Sequence, residues 1–266
     1  MNKFFILLSA TLLLFLVSCE EKTTWELQSS EIFAVADCIL TNELKPQELR
    51  LYRSSEKLNE IPVGISGAVV EISDGRQIVN FKEDDAETGK YVSPVSFRAT
   101  AGIKYRLIIS LGEKADTAYA EMTGIRPLDN IDIAPNDSLY RLVYHESQDA
   151  SMMEVLYDWS AMPDFCSKYG ACEASEVFYT LDNIDAEKVF APDRQIISFP
   201  EKTRIIRRKY SLSPAHQQFV RALLLETEWR GGLFDAEQGN IPTNFSHGIR
   251  GWFGACMVVA DTTDFK

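Results

Sequence analysis

Three stretches set the fold class: Ser66-Gly67-Ala68-Val69-Val70-Glu71-Ile72, Gly89-Lys90-Tyr91 and Ala101-Gly102-Ile103-Lys104-Tyr105-Arg106-Leu107-Ile108-Ile109. Each opens at or next to a glycine and runs into alternating, β-branched or aromatic residues, the pattern of a half-buried strand leaving a turn. Asp74-Gly75 adds a hairpin signal after the first stretch. Upstream, Glu48-Leu49-Arg50-Leu51-Tyr52-Arg53 alternates in the same way. Strand-sized runs at this spacing, with no helical stretch between them, predict a β-sandwich over residues 32–125.

Beyond residue 126 the strand runs continue, at Ser138–Tyr144, Met153–Tyr157 and Val177–Leu181. One helix is expected over 213–230, with Ser213 as its cap, Pro214 in its first turn and Gly231-Gly232 at its end. On a helical wheel Ala215, Phe219, Ala222, Leu223 and Trp229 form the core-facing stripe. Glu226 falls in the same arc and is read as a partner of Arg230, and His216 is read as facing solvent. The expected architecture is mainly β: a sandwich domain, then a second mainly β domain over 126–266 carrying one amphipathic helix.

The chain has 266 residues, 27 basic and 39 acidic side chains, and a formal charge of −12. Such a balance excludes nucleic acid as the expected partner, because phosphate binding needs a basic surface. Hydrophobic residues at 45% are enough to bury a core.

The N-terminus gives an address. Met1-Asn2-Lys3 is followed by an apolar run from Phe4 to Val17, which is shorter than the roughly 20 residues of a spanning helix. The run ends in Leu16-Val17-Ser18-Cys19, which resembles the bacterial lipobox. A thiol at the membrane surface would take the lipid there, so residues 1–18 are expected to be a signal peptide and Cys19 the acylated anchor to the membrane. Glu20-Glu21-Lys22-Thr23-Thr24 opens a polar tether over 19–31 and resembles the export signal for the outer face of the outer membrane.

The stretches at Ser66–Ile72, Gly89–Tyr91 and Ala101–Leu107 resemble the carboxypeptidase-regulatory-like, transthyretin-like sandwich, an Ig-type architecture. Near the C-terminus stand Gly231-Gly232-Leu233-Phe234-Asp235, Gly239-Asn240-Ile241, Asn244 and Gly251-Trp252-Phe253-Gly254-Ala255. With the lipobox, these make the chain similar to the Bacteroidota surface-lipoprotein family known as domain-of-unknown-function family 4249. The chain departs from that pattern at Ala236-Glu237-Gln238 and at Ala36-Asp37-Cys38. The resemblance brings no catalytic, cofactor or metal residues with it. It implies a companion of a TonB-dependent outer-membrane receptor that handles a small ligand, a peptide or a glycan.

The residues themselves offer little chemistry. His145, His216 and His247 are isolated, and neither a His-Glu-x-x-His motif nor a Gly-x-Ser-x-Gly elbow occurs. Neither an enzyme nor a cofactor is expected. Cys166 and Cys172 bracket five residues of a turn-rich loop, and a disulfide clipping that loop is the natural reading in an exported protein. Cys38 and Cys256 read as buried thiols, to be bridged only if their strands meet. The acidic groups Glu83–Glu87 and Asp129/Asp132/Asp137 lack EF-hand spacing and read as solvated loops. Asp116-Thr117-Ala118 has the form of a three-residue O-glycosylation acceptor, a pattern short enough to arise by chance. The run from Lys202 to Lys209 places Lys202, Arg204, Arg207, Arg208 and Lys209 within eight residues of an acidic chain. It reads as a charged edge strand, with docking of an acidic partner as the alternative. The expected function is that of a surface-exposed, outer-membrane, non-catalytic ligand-binding partner of a transporter. The competing reading is a structural or adhesive envelope lipoprotein.

Overall fold

A computed structural model describes residues 32–55, 60–145, 147–181, 196–227 and 241–266. The predicted signal peptide, Cys19, the tether, Trp229, Arg230 and the 231–240 segment lie outside the described residues. The fold is mainly β, with fifteen strands and two helices among those residues.

The alternating stretches become strands β1 (Ala34–Thr41), β2 (Glu48–Arg53), β3 (Val69–Ser73), β4 (Ile78–Glu83), β5 (Lys90–Val92), β6 (Lys104–Leu111) and β7 (Lys114–Glu121). Their inward residues are apolar: Leu49 and Leu51, Val70 and Ile72, Tyr105, Leu107 and Ile109, and Ala118 and Ala120 all fall in one core cluster. The Tyr91 ring is buried in that cluster, and its hydroxyl donates to Ile65 O at 2.8 Å while accepting the Ala68 N–H at 3.0 Å. The phenol is thus satisfied without water.

These seven strands and a late one, β14 (Arg250–Cys256), form an eight-stranded sheet in the order β14-β1-β2-β5-β4-β3-β6-β7. The sheet curls round its core until its two ends approach, with a parallel bridge between Thr123 and Cys256. β14 lies parallel to β1, with Ala36 opposite Gly251, Cys38 opposite Phe253 and Thr41 opposite Cys256. Gly251 has φ +98°, and a Cβ there would run into the Ala36 carbonyl. Glycine is required at this point for the two strands to come together.

A short segment before β14 straps the sheet ends together. Asn244 Nδ2 donates to Tyr119 O at 3.0 Å and to Phe253 O at 2.7 Å, while its Oδ1 accepts the Phe253 N–H at 3.0 Å. The buried Asp116 carboxylate on β7 accepts the backbone N–H groups of His247 (2.6 Å), Gly248 (2.8 Å) and Ile249 (2.9 Å) and the Ser246 hydroxyl (3.0 Å). Burial alone would raise this carboxyl. The donors outweigh it and hold Asp116 below the ordinary carboxylate range. Asp116 of the O-glycosylation-like triplet is therefore committed to structure.

The rest of the chain builds a second layered body. Strands β11 (Glu173–Thr180), β10 (Ser151–Asp158), β13 (Arg204–Ser211) and β15 (Val258–Asp264) make an antiparallel sheet in that order. Strands β12 (Ser198–Phe199), β9 (Leu139–Leu142) and β8 (Ile133–Asn136) make a smaller one. Tyr157, Phe199, Ile205, Trp159 and Phe178 fill the core they share with Ile133, Tyr140 and Leu142. A one-turn-plus helix, α1 (Pro163–Tyr169), follows β10, and α2 (Pro214–Thr227) follows β13.

The expected division at residue 125/126 is corrected here. β14 belongs to the N-terminal sheet and β15 to the second, and only Met257 separates them. The free edge of β1 requires a partner, and the chain supplies it from its last 20 residues. The helix starts where predicted, but its buried face is His216, Gln217, Val220 and Leu224, while Ala215 is exposed. The predicted stripe is rotated, and His216 faces inward.

Replacing Asp116 with alanine leaves three backbone donors without an acceptor. The substitution is expected to lower unfolding free energy by about 2–4 kcal/mol, measured by urea denaturation at pH 7. Because the folded carboxyl titrates below its unfolded value of 3.8, its contribution is complete above that value and is lost as pH falls through the folded one. The urea midpoint of the parent should therefore fall towards that of Asp116→Ala in strong acid.

Candidate functional site

The basic run that stands out in the sequence is not an edge. β13 lies between β10 and β15, and alternation sends Arg207 and Lys209 inward with Ile205, leaving Arg204 and Arg208 on the other face. Arg207 is 7% exposed and grips Asp261 through Nε, at 2.9 Å to Oδ1, and through a second bond to Oδ2, while also donating to Asp129 O at 2.9 Å. Lys209, buried at 4% exposure, sits 3.6 Å from Asp149. Arg208 reaches Glu43 at 2.7 Å and Glu154 at 3.7 Å, and Arg204 pairs with Asp264 at 2.8 Å. Of the five cations only Lys202 lies in a turn, exposed and with φ +62°. The edge-strand reading is corrected, and four of the five cations have acidic partners within the chain. A buried cation is retained only when paired, which explains the bidentate Asp261.

Cys166 and Cys172 are joined as a disulfide, with Cα atoms 4.6 Å apart. The segment between them is not a loop throughout: it contains the end of α1, capped by Gly170 in the left-handed conformation. Cys38 and Cys256 are both buried and free. Their strands do meet, but the parallel register sets the two thiols three positions apart, out of disulfide reach.

Cys256 has a histidine neighbour that the sequence order hides. His216 Nδ1 lies 3.8 Å from Cys256 Sγ, and the imidazole stacks on Trp252 with centroids 5.5 Å apart. Gly254 leaves room for the ring, since a Cβ there would stand 3.2 Å from His216 Cε1. Burial pushes the Cys256 thiol up to about 12 and the imidazole down to about 4. Both are neutral at pH 7, so the pair is packing rather than a thiolate–imidazolium nucleophile. Glu83, from the acidic run, accepts the Ser66 hydroxyl at 2.7 Å and the N–H groups of Gly67 and Gly89 at 3.0 and 3.1 Å. Among the described residues no group of three His, Cys, Asp or Glu is placed to hold a metal ion.

What remains open to a ligand is the outer face of β4-β3-β6-β7. Register lines up Ile78, Ser73, Arg106 and Tyr119 across four strands. Lys104, two residues before Arg106, carries its ammonium 4.7 Å from the centre of the Tyr119 ring. Arg76 lies in the β3–β4 turn. Ile78 and Tyr119 are large side chains left 59% and 51% exposed on this face. A cleft of 500 Å³ is lined by Arg76, Ile78, Lys104, Arg106 and Tyr119 with Ser73 and Gly75. A second, of 230 Å³, begins on the other side of the same Lys104–Tyr119 pair and is lined by Glu121, Asn244 and Trp252. Among the described residues, Arg76, Lys104 and Arg106 have no carboxylate within 4 Å. Sequence reading missed this face, although Lys104-Tyr105-Arg106 contains its signal: a buried Tyr105 obliges both neighbours to point outward together.

Arg207→Ala should destabilise the protein by about 3 kcal/mol, because Asp261 loses its counter-charge and a buried grip. Arg204→Ala should leave the urea midpoint essentially unchanged, as an exposed pair contributes little. His216 adds an acid dependence of opposite origin to that of Asp116. Its folded pKa is depressed from 6.5 to about 4, so the unfolded chain takes up the proton first and stability falls as pH drops from 6.5 towards 4. The loss is roughly 3 kcal/mol across that window. His216→Phe should flatten urea midpoints between pH 7 and 4.

A search of curated proteins returned no match. Among solved structures, the chain is similar to the FN1–FN3 domains of chicken CNTN1, at 9% identity and a TM-score of 0.29. That likeness covers 69% of this chain and 62% of the chicken chain, less than two thirds of it. At such a score it carries no conclusion about fold or function. The family model described as "Domain of unknown function (DUF4249)" matches residues 20–262. The match covers nearly the whole chain, strands of all three sheets and the strap included, and the protein belongs to the DUF4249 family.

Proposed function

We propose that the protein is a surface-exposed outer-membrane lipoprotein of Bacteroidota that acts, without catalysis of its own, as the ligand-binding partner of a TonB-dependent transporter. One observation carries this reading: the family match begins at residue 20, directly after the cysteine of the Leu16-Val17-Ser18-Cys19 motif. A diacylated Cys19 would hold the body at the membrane by two or more chains. The neutral, buried Cys256–His216 pair offers no nucleophile, whereas the Arg106–Tyr119 face offers binding chemistry. An N-terminal sandwich of the transthyretin type fits the curled sheet and the Tyr91-centred core.

Cys19→Ala should move the protein from the membrane to the soluble fraction, read by fractionation and immunoblotting. Retention in the membrane would overturn the anchor. Purification of the tagged lipoprotein in mild detergent should bring a TonB-dependent barrel with it. Recovery of other envelope proteins without any such barrel would favour the structural or adhesive reading instead.

A further inference from the structure

The outer face of β4-β3-β6-β7 has two properties that together narrow its ligand. The first is charge. In a chain of net charge −12, five cations of the Lys202–Lys209 run compete for internal carboxylates and four of them obtain one. Arg76, Lys104 and Arg106 do not, although Glu121 stands opposite Lys104 in the register and Asp74 draws Arg76 at longer range. Asp74 is already engaged by the N–H groups of Arg76 and Gln77, at 2.8 and 2.7 Å. Three exposed cations without a carboxylate within 4 Å, beside an exposed phenol and an exposed isoleucine, suit an anionic partner that also has an apolar side.

The second property is the state of the sheet edge. β7 ends the sheet next to this face and would ordinarily invite an added peptide strand. Here that edge is occupied. The Thr117 N–H donates to Ser246 Oγ at 3.0 Å, Thr117 O accepts the Ser246 N–H at 2.9 Å, and Tyr119 O accepts Asn244 Nδ2 at 3.0 Å. A peptide cannot extend the sheet there by backbone pairing. The ligand has to be read by side chains from above the sheet.

We propose that this face binds a carboxylated oligosaccharide, with one sugar ring against Tyr119, its carboxylate on Arg106 and a further sugar reaching Ile78, three strands from Tyr119. Adjacent strands stand ~4.8 Å apart, so one ring can rest on the phenol while its carboxylate meets the neighbouring guanidinium. A planar guanidinium donates two parallel hydrogen bonds to a carboxylate. Lys104 and Arg76, which line the same cleft as Arg106, are placed for the carboxylate of a neighbouring sugar. The proposal rests on the reading of the protein as a binding module and adds to it the class of ligand.

The test is isothermal titration calorimetry of the full lipoprotein in mild detergent with oligogalacturonate as probe. Its methyl-esterified form and a poly-aspartate peptide of equal charge serve as comparisons. Oligogalacturonate should bind, and the ester should bind at least tenfold more weakly. Arg106→Ala and Tyr119→Ala should each weaken binding tenfold or more with unchanged urea midpoints, while Arg204→Ala should have no effect. Absence of oligogalacturonate binding overturns the proposal, as does binding indifferent to Arg106→Ala. Equally tight poly-aspartate binding that survives Tyr119→Ala overturns it in favour of an acidic peptide. The outcome is separable from the transporter reading: a co-purified barrel without glycan binding removes only the ligand class, and glycan binding without a barrel removes only the transporter.

Discussion

The parallel ladder between β1 and β14 is the constraint on which the rest of the structure depends. A parallel pair cannot be closed by a hairpin, so the chain makes a long excursion, through most of its second body, before β14 returns to β1. That return brings Gly251 under the Ala36 carbonyl, Gly254 under the His216 ring and Asn244 between β7 and β14. Once β14 is seated, the strap at 244–249 delivers three N–H groups and a hydroxyl to Asp116, and the curled sheet is fastened across its open side. β15 then leaves β14 after a single residue and enters the other sheet. The two bodies are consequently coupled through the covalent chain as well as through Arg208 and Glu43.

The same economy governs charge. The protein is acidic, but its most basic stretch is its most internally neutralised, because β13 is central and every cation on it except Arg204 is at least half-buried. Desolvation makes an unpaired cation there prohibitive, so carboxylates from β15, β10 and two loops converge on it. On an outer sheet face no such penalty applies, and Arg106 and Lys104 remain open. Charge density along the sequence and charge availability in the structure are therefore different quantities in this protein.

Much of the fold was legible. Strand runs, the Asp74-Gly75 turn, the start of α2 at Pro214 and the mainly β class follow from alternation and turn chemistry, which are local. The errors share one cause. The buried face of α2 was misplaced because His216 and Gln217 carry the contact with Trp252 and Leu212 O, and polar residues are discounted in a hydrophobic stripe. The β13 cations were misassigned because position within a sheet is a property of its neighbours. The structural roles of Asp116 and Asn244 gave no signal, since Asp116 meets the Ile249 N–H and Asn244 meets Tyr119 O across more than a hundred residues of chain.

By itself the sequence determined what acts over a few residues. This covers the strand periodicity, the turns, the acidic balance and the lipobox-like motif before the family-matched region. Tertiary structure alone decided which late strand completes the first sheet, which cations are spent on internal carboxylates, and which cations stay exposed on an outer sheet face. The physical reason is that hydrogen-bond pairing at a sheet edge and the desolvation of a charge depend on whatever approaches from far along the chain. No local pattern encodes that approach.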